Sequence, residues 1–248
     1  MKARTVLFAI VGLAWGVAGC HTGHPRSGAI AQDATTGYFE NQLCAAAASN
    51  NLDELKLLLK RGTDSDERVD GKTALMLAVQ NGHCEAARLL LDGGADVDAK
   101  PRTAITPLML AAANGQTNLV ELLLKRGADI KLRASARGET ALFGAASCGR
   151  TEVVRILLDH GADVESPLAD GTTALMTAAE QRHLDTVRLL LERGADVRRR
   201  SEKGTAIGLV QRHLDASHAA ARPSRKDADA YAAIAALLLE HAVANTAE

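Results

Sequence analysis

The sequence predicts an all-α solenoid of about six helix-turn-helix units, and two phased series of short motifs carry this prediction. Leu-Leu-Leu or Ile-Leu-Leu occurs at 57–59, 89–91, 122–124, 156–158 and 189–191. Gly-Ala-Asp follows each of the last four of these, and the first glycines of these motifs are 33, 34 and 33 residues apart. A Thr-Ala-Leu or Thr-Pro-Leu motif recurs in phase, at Thr73, Thr106, Thr140 and Thr173. A constant period of this length indicates supersecondary units that stack on one another.

Composition favours the same fold class. Hydrophobic residues make up 47% of the 248 residues but aromatic residues only 2%, so the core must be built largely from Ala, Leu and Val. Ala, Leu and Arg are strong helix formers. The formal net charge of −1 argues against a general nucleic-acid-binding protein, because such proteins carry a clear basic excess.

Residues 1–19 have the pattern of a secretory leader. Lys2 and Arg4 precede an apolar run that continues to Gly19. A basic start, an apolar run and small residues before a cleavage site are typical of a signal peptide. The run is short and glycine-rich, whereas a membrane-spanning helix needs about 20 apolar residues.

Val17-Ala18-Gly19-Cys20 resembles the lipobox of bacterial lipoproteins. The resemblance implies cleavage before Cys20 and lipid on its thiol and new amino group, which would anchor the chain stably in a bilayer. The alternative is an ordinary signal peptide with a coincidental cysteine. The next residue is His21 rather than aspartate, and by the rule of that family this favours the outer membrane, facing the periplasm.

Residues 20–37 are interpreted as a flexible tether. The stretch HTGHPRSGAIAQDATT is rich in Gly, Ser, Thr and Pro and has no helical or strand periodicity, as expected of a flexible linker. His21 and His24 could bind a metal weakly, but solvated tail histidines are commoner. We therefore assign no metal site.

The unit that begins at Thr106 shows the physical logic of each repeat. Thr106 can cap the first amides of a helix, and Pro107 suits the first turn because its missing N–H is not needed there. The alanines at 111–113 make a thin helix, which Gly115 ends. A second apolar face follows at 119–124, and Gly127 stands where a helix commonly ends in a left-handed residue.

On these motifs the units resemble ankyrin repeats, over residues 38–248. The resemblance implies repeats at about 38–69, 70–102, 103–136, 137–169, 170–202 and 203–248, joined by hairpin-like loops and closed by degenerate caps. It also implies a protein that binds other proteins and carries out no chemistry. Neighbouring repeats share one core, so surface residues can vary while the framework stands.

The chain departs from the family pattern at several positions. The family's histidine after the threonine motif is replaced by an apolar side chain in four repeats, at Met76, Met109, Phe143 and Met176. Apolar packing must then replace the usual hydrogen bond of that histidine. Arg182 replaces the glycine between the helices of the fifth repeat, and the first repeat lacks the threonine motif.

The last repeat contains an insertion near 213–228. The sequence predicts an elongated first helix, a loop near Arg222 to Asp227, and a closing helix from about Ala228 to Ala244. Two interpretations remain open: a C-terminal cap with an insertion, or a loop specific to a partner.

No sequence motif of a catalytic site, phosphate loop or dinucleotide fingerprint is present, so we expect no enzyme, no cofactor and no metal. His83 and His183 occupy equivalent positions beside the turn between helices and are interpreted as framework residues. His160 lies in the last turn of a helix, where a cation suits the helix dipole.

Cys44, Cys84 and Cys148 would meet an oxidising periplasm, and an odd number of cysteines cannot all pair with one another. Cys44 falls on an apolar helix face and is interpreted as a core residue. Cys148 adjoins the turn at Gly149 and is a candidate reactive thiol. A Cys44–Cys84 disulfide is an alternative, and it requires Cα atoms within about 7 Å.

The resemblance implies that a partner binds a concave face made of hairpin tips and exposed positions of the first helices. The residues at the matching positions, with Arg199 from the basic end described next, are Lys72, Gln80, Asn81, Arg102, Asn114, Arg137, Glu139, Asp170, Thr172, Glu180, Gln181 and Arg199. The alternative is that many of them are simply solvated. The hairpin at 64–70 is acidic and the stretch 198–203 is basic, which could orient a dipolar partner.

The predicted function is recognition of another periplasmic or envelope protein. Three roles remain open: immunity or inhibition against a toxic enzyme that acts in the periplasm, assistance to an envelope enzyme of oxidative-stress defence, or passive scaffolding. A toxin gene beside this one would favour immunity, and an oxidoreductase gene the accessory role.

Overall fold

The computed structural model describes residues 42–100, 105–218 and 225–244. The chain divides into two compact units, Met1–Thr103 and Ala104–Glu248, and each is described by itself. The predicted leader, Cys20 and the tether lie outside the described residues. Within the described ranges, no helix is both long enough and apolar enough to span a membrane.

Unit 1 contains two repeats. Its elements are α1 (Gln42–Ala48), α2 (Leu52–Lys60), β1 (Arg68–Val69), β2 (Lys72–Thr73), α3 (Ala74–Gln80) and α4 (Cys84–Asp92). Helix α1 packs on α3, and α2 packs on α4. The two short strands form an antiparallel hairpin in which Arg68 pairs with Thr73 and Val69 with Lys72.

Unit 2 contains four repeats. Its elements are α5 (Pro107–Asn114), α6 (Thr117–Lys125), α7 (Ala141–Ser147), α8 (Thr151–Asp159), α9 (Ala174–Glu180), α10 (Leu184–Glu192), α11 (Ala206–His218) and α12 (Arg225–Ala244). The first helices pack in the series α5, α7, α9, α11, and the second helices in the series α6, α8, α10, α12. Two layers of stacked helices in this order confirm the predicted all-α repeat solenoid.

The threonine motifs begin the first helices, as predicted. In four repeats the threonine hydroxyl accepts a hydrogen bond from the amide three residues later, over 3.2 to 3.4 Å. These bonds satisfy amides that have no partner inside the helix. Pro107 lies in the first turn of α5, where its missing N–H has no consequence.

The turn between the two helices of a repeat requires a left-handed residue. Gly115 ends α5 with φ of 77°. At the equivalent position of the fifth repeat, Arg182 has φ of 66°, which is unfavourable for a residue with a Cβ atom. The turn geometry is therefore kept although the glycine is replaced.

The core consists of small and aliphatic side chains. Ala111, Ala112 and Val154 are completely buried. The residues that replace the family's histidine are buried as well, with exposures of 4%, 1%, 7% and 1% for Met76, Met109, Phe143 and Met176. Apolar side chains occupy the position of that histidine, and their packing replaces its hydrogen bond, as the sequence predicted.

The last repeat differs from the prediction at one boundary. Helix α11 is elongated, as predicted, but α12 begins at Arg225 rather than near Ala228. The predicted loop near Arg222 to Asp227 is therefore partly helical. Asp227 lies in the first turn of α12 and pairs with Arg182, and a carboxylate at this position is favoured by the helix dipole.

Candidate protein-binding surface

Three consecutive hairpins of unit 2 are joined into one row, which we call the hairpin row (residues 133–139, 166–172 and 199–204). The Ala169 amide donates to the Arg137 carbonyl over 2.9 Å, and the Glu202 amide donates to the Asp170 carbonyl over 3.0 Å. The Arg133 guanidinium adds bonds of 2.7 Å to the Pro167 carbonyl and the Ser166 hydroxyl. The row is therefore held by main-chain bonds between successive repeats.

The first hairpin of the row holds a buried carboxylate. Glu139 is 6% exposed, and it accepts a hydrogen bond from the Ser135 hydroxyl over 2.5 Å. Its other oxygen lies 3.6 Å from Nε of Arg137. Glu139 thus stabilises the hairpin and offers little surface to a partner, whereas Arg137 remains partly exposed.

The second hairpin is centred on Asp170. Its carboxylate accepts a hydrogen bond from the Thr172 amide over 2.9 Å and lies 3.6 Å from Nζ of Lys203. Burial raises the pKa of Asp170, but the hydrogen bond from the Thr172 amide and the charge of Lys203 outweigh it, so the pKa lies below its ordinary value. Thr172 itself is 5% exposed.

In the third hairpin of the row, an ion pair holds Arg199. Its guanidinium lies 3.2 Å from Glu165, and the other oxygen of Glu165 accepts the Asp196 amide over 2.7 Å. The neighbouring Arg200 is exposed. This part of the row therefore presents uncompensated positive charge.

The predicted first-helix residues of unit 2 differ in their exposure and contacts. Asn114 and Gln181 are half-buried. The Glu180 carbonyl accepts a bond from the Tyr231 hydroxyl over 2.9 Å, and its carboxylate lies 3.7 Å from Nε2 of His213. Glu180 is therefore partly engaged by the last repeat.

In unit 1 the predicted residues are exposed and adjacent. Lys72 Nζ donates to the Gln80 side chain over 2.9 Å, and the Asn81 side chain donates to the Ala48 carbonyl over 3.1 Å. Arg102 lies outside the described residues. Sequence reasoning missed Arg133, whose only signal was its place in a hairpin, and it recognised Lys203 only as part of the basic stretch 198–203.

The framework interpretation of the histidines agrees with their geometry. Nε2 of His83 lies 3.1 Å from the Ala48 carbonyl, and Nε2 of His183 lies 3.1 Å from the Ser147 carbonyl. Each carbonyl belongs to the preceding repeat, so the histidines fasten one repeat to the next. His160 bonds the Ile156 carbonyl within its own helix.

Among the described residues, the three cysteines form no disulfide with one another. Cys44 is completely buried in unit 1, and this burial raises the pKa of its thiol to about 11. Cys84 and Cys148 are half-buried. Cys44 is thus held as a protonated core residue at neutral pH.

A depression of about 350 Å³ is lined by Arg133 and Ser166 of the hairpin row, and by Lys131 and Asp163 among others. In the described ranges, no three His, Cys, Asp or Glu side chains are grouped so that they could hold a metal ion.

The architecture defines the class of the protein: a helical repeat protein with a row of hairpins along the stack. A family model for ankyrin repeats (3 copies) matches residues 30–101 and 108–201, and the chain belongs to the ankyrin-repeat family. Ankyrin repeats are generally modules of protein–protein interaction and are typically non-catalytic. No curated protein matches the chain.

Proposed function

We propose that this protein is a non-catalytic capture module, held in a bacterial envelope by lipid on Cys20, which binds another periplasmic or envelope protein through the hairpin row. The observation that carries the proposal is the row itself. Main-chain bonds fix three hairpins relative to one another, so their exposed side chains form a preorganised surface. Preorganisation lowers the entropy lost on binding.

The exposed charges of the row suit a partner with an acidic surface. Arg137 and Arg200 are partly or fully exposed, while Asp170 already pairs with Lys203. Charges at the rim of an interface mainly steer the encounter and select the partner. Recognition at this surface needs no titrating group and no nucleophile.

The lipid anchor rests on the leader and on Val17-Ala18-Gly19-Cys20. Mass spectrometry of the mature N-terminus tests it, with a Cys20→Ser chain as control. We expect the mature protein to begin at Cys20 with the added mass of acyl chains and to fractionate with the outer membrane. An unmodified Cys20, or cleavage elsewhere, would overturn the anchor.

Capture is tested by affinity purification of the tagged full-length protein from detergent-solubilised envelope, followed by proteomics. The test variant is Arg137→Gln and the matched control is Arg155→Gln. The two side chains are similarly exposed, 43% and 46%, and each lies near a glutamate, but only Arg137 belongs to the hairpin row.

We expect one envelope protein to be enriched by the parent chain and by Arg155→Gln, and to be reduced by about tenfold with Arg137→Gln. All three chains should melt at similar temperatures. Equal recovery from both variants would contradict a role of the row. The identity of the captured protein then separates the roles, since a toxic enzyme indicates immunity and an oxidoreductase an accessory function.

A further inference from the structure

The last helix, α12, exposes an apolar face. Leu239 is 52% exposed and Val243 is 69% exposed, and Ala232, Ala233 and Ala236 are exposed beside them. Asp229 and Glu240 are the charged residues of this face, which we call the α12 face. The terminal repeat of a solenoid normally has a polar outer side, because that side meets water.

The opposite side of α12 already has its own packing. Ile234 and Leu238 are completely buried, Tyr231 is 8% exposed, and the helix packs on α10 and α11. Helix α12 is thus apolar on two sides, and a helix of this kind is usually buried on both. The α12 face therefore calls for a partner of its own.

The residues of the α12 face are complementary to themselves in size. The half towards the N-terminus carries small side chains, and the half towards the C-terminus carries Leu239 and Val243. In an antiparallel pair of α12 helices with a two-fold axis at Ala236, Leu239 of one copy faces Ala232 of the other. Large side chains then meet small ones, and the alanines allow close approach of the helices, at about 8–9 Å.

The charges at the two ends of the α12 face are complementary as well. The Arg198 guanidinium donates to the Ala242 carbonyl over 2.8 Å, which places its positive charge beside the C-terminal end of the face. Asp229 is exposed at the N-terminal end. The antiparallel pair brings Asp229 of each copy towards Arg198 of the other, whereas a parallel pair would set Asp229 against Asp229.

We propose that the α12 face binds a second copy of this chain, forming a two-fold dimer through antiparallel α12 helices. Such self-complementary interfaces are the commonest in soluble oligomers. A shared membrane anchor would raise the local concentration of copies and so favour a small interface. The dimer uses none of the hairpin-row residues, so the two proposals stand or fall separately.

The first test is a disulfide at the two-fold axis, formed in cells that express the full-length chain. Because Ala236 would face its own copy, Ala236→Cys should give a covalent dimer on a non-reducing gel. Ala136→Cys, an exposed alanine of the hairpin row, is the matched control and should give no more dimer than the parent. Equal dimer from both, or none from Ala236→Cys, would overturn the interface.

The second test exchanges the charges. Two differently tagged full-length copies are co-purified in mild detergent, and the recovered second copy is measured. Asp229→Arg and Arg198→Asp should each reduce recovery by more than about tenfold. Each substitution would place two pairs of like charges opposite each other across the two-fold interface. The double variant should restore recovery, which a merely misfolded chain cannot do. The proposed pairing is contradicted if Asp229→Arg leaves the recovery of the second copy unchanged, or if the double variant does not restore that recovery.

Discussion

The guanidinium of Arg182 lies over the ring of Tyr231, 5.7 Å from its centre. Arg182 also pairs with Asp227, while the Tyr231 ring stacks on His213 at 4.9 Å. The residue that replaces the turn glycine of the fifth repeat therefore fastens the closing helix to that repeat. The departure from the family pattern has a structural reason in the tertiary contacts of the cap.

Two substitutions at Arg182 separate these contacts from the backbone strain. Arg182→Ala keeps the left-handed turn and loses the ion pair and the ring contact, so we expect the free energy of unfolding to fall by about 1–2 kcal/mol. Arg182→Gly loses the same contacts but relieves the strain, and should be about 1 kcal/mol more stable than Arg182→Ala. Urea unfolding measures both. An alanine variant as stable as the parent would show that the cap contacts contribute nothing.

The threonine cap of α7 should contribute measurably to the free energy of unfolding. Thr140→Ala leaves the Phe143 amide without its hydrogen bond, and we expect a loss of about 1 kcal/mol in the free energy of unfolding. Thr140→Ser keeps the hydroxyl and is the control, with a smaller loss. Equal losses from the two variants would mean that the methyl group, rather than the cap, stabilises the helix.

Acid should weaken unit 2 through His183. Burial lowers the pKa of His183, the nearby charges of Arg150 and Arg182 lower it further, and the bond to the Ser147 carbonyl opposes them. Since the folded pKa lies below the ordinary value of 6.5, the unfolded chain binds the proton more tightly. The contribution of neutral His183 to the free energy of unfolding is therefore complete above about pH 6.5, and it is lost as the pH falls through the folded pKa.

His183→Gln tests this dependence, because Gln116 occupies the equivalent position of an earlier repeat. We expect the variant to lose less stability than the parent between pH 7.5 and 5, as measured by urea unfolding at each pH. A parallel decline of the two chains would assign the acid sensitivity to other groups.

Alkali should weaken unit 1 through Cys44. Burial raises the pKa of its thiol from 9.0 to about 11, so the folded state holds the proton more tightly than the unfolded state. The stabilisation is present below about pH 9 and is lost as the pH rises towards about 11. Cys44→Ala should flatten the stability profile in this window relative to the parent.

Cys84→Ala is the control for the alkaline experiment, since Cys84 is only half-buried. This variant should keep the alkaline decline of the parent in thermal melts. A flattened profile in Cys84→Ala, together with an unchanged profile in Cys44→Ala, would reverse the assignment of the buried thiol.

Much of the fold could be predicted because its signals are local. Thr106 caps a helix that begins one residue later, and Gly115 takes the left-handed turn that a glycine favours. The candidate surface was predicted less well. Glu139 and Thr172 fall at hairpin positions, yet both are buried, because the hairpin folds its own carboxylate and hydroxyl inward.

The sequence by itself determined the repeat, its helices and the apolar replacements at Met76 and Met109, because capping and periodic burial depend on residues within one unit. Only the tertiary structure decided which polar side chains face water and how the closing helix is held. The reason is that the bonds of Arg133 and the contact of Arg182 with Tyr231 join residues of different repeats or helices, and Glu139 is buried only when its hairpin has closed on Ser135. Their energies arise only once the elements have packed.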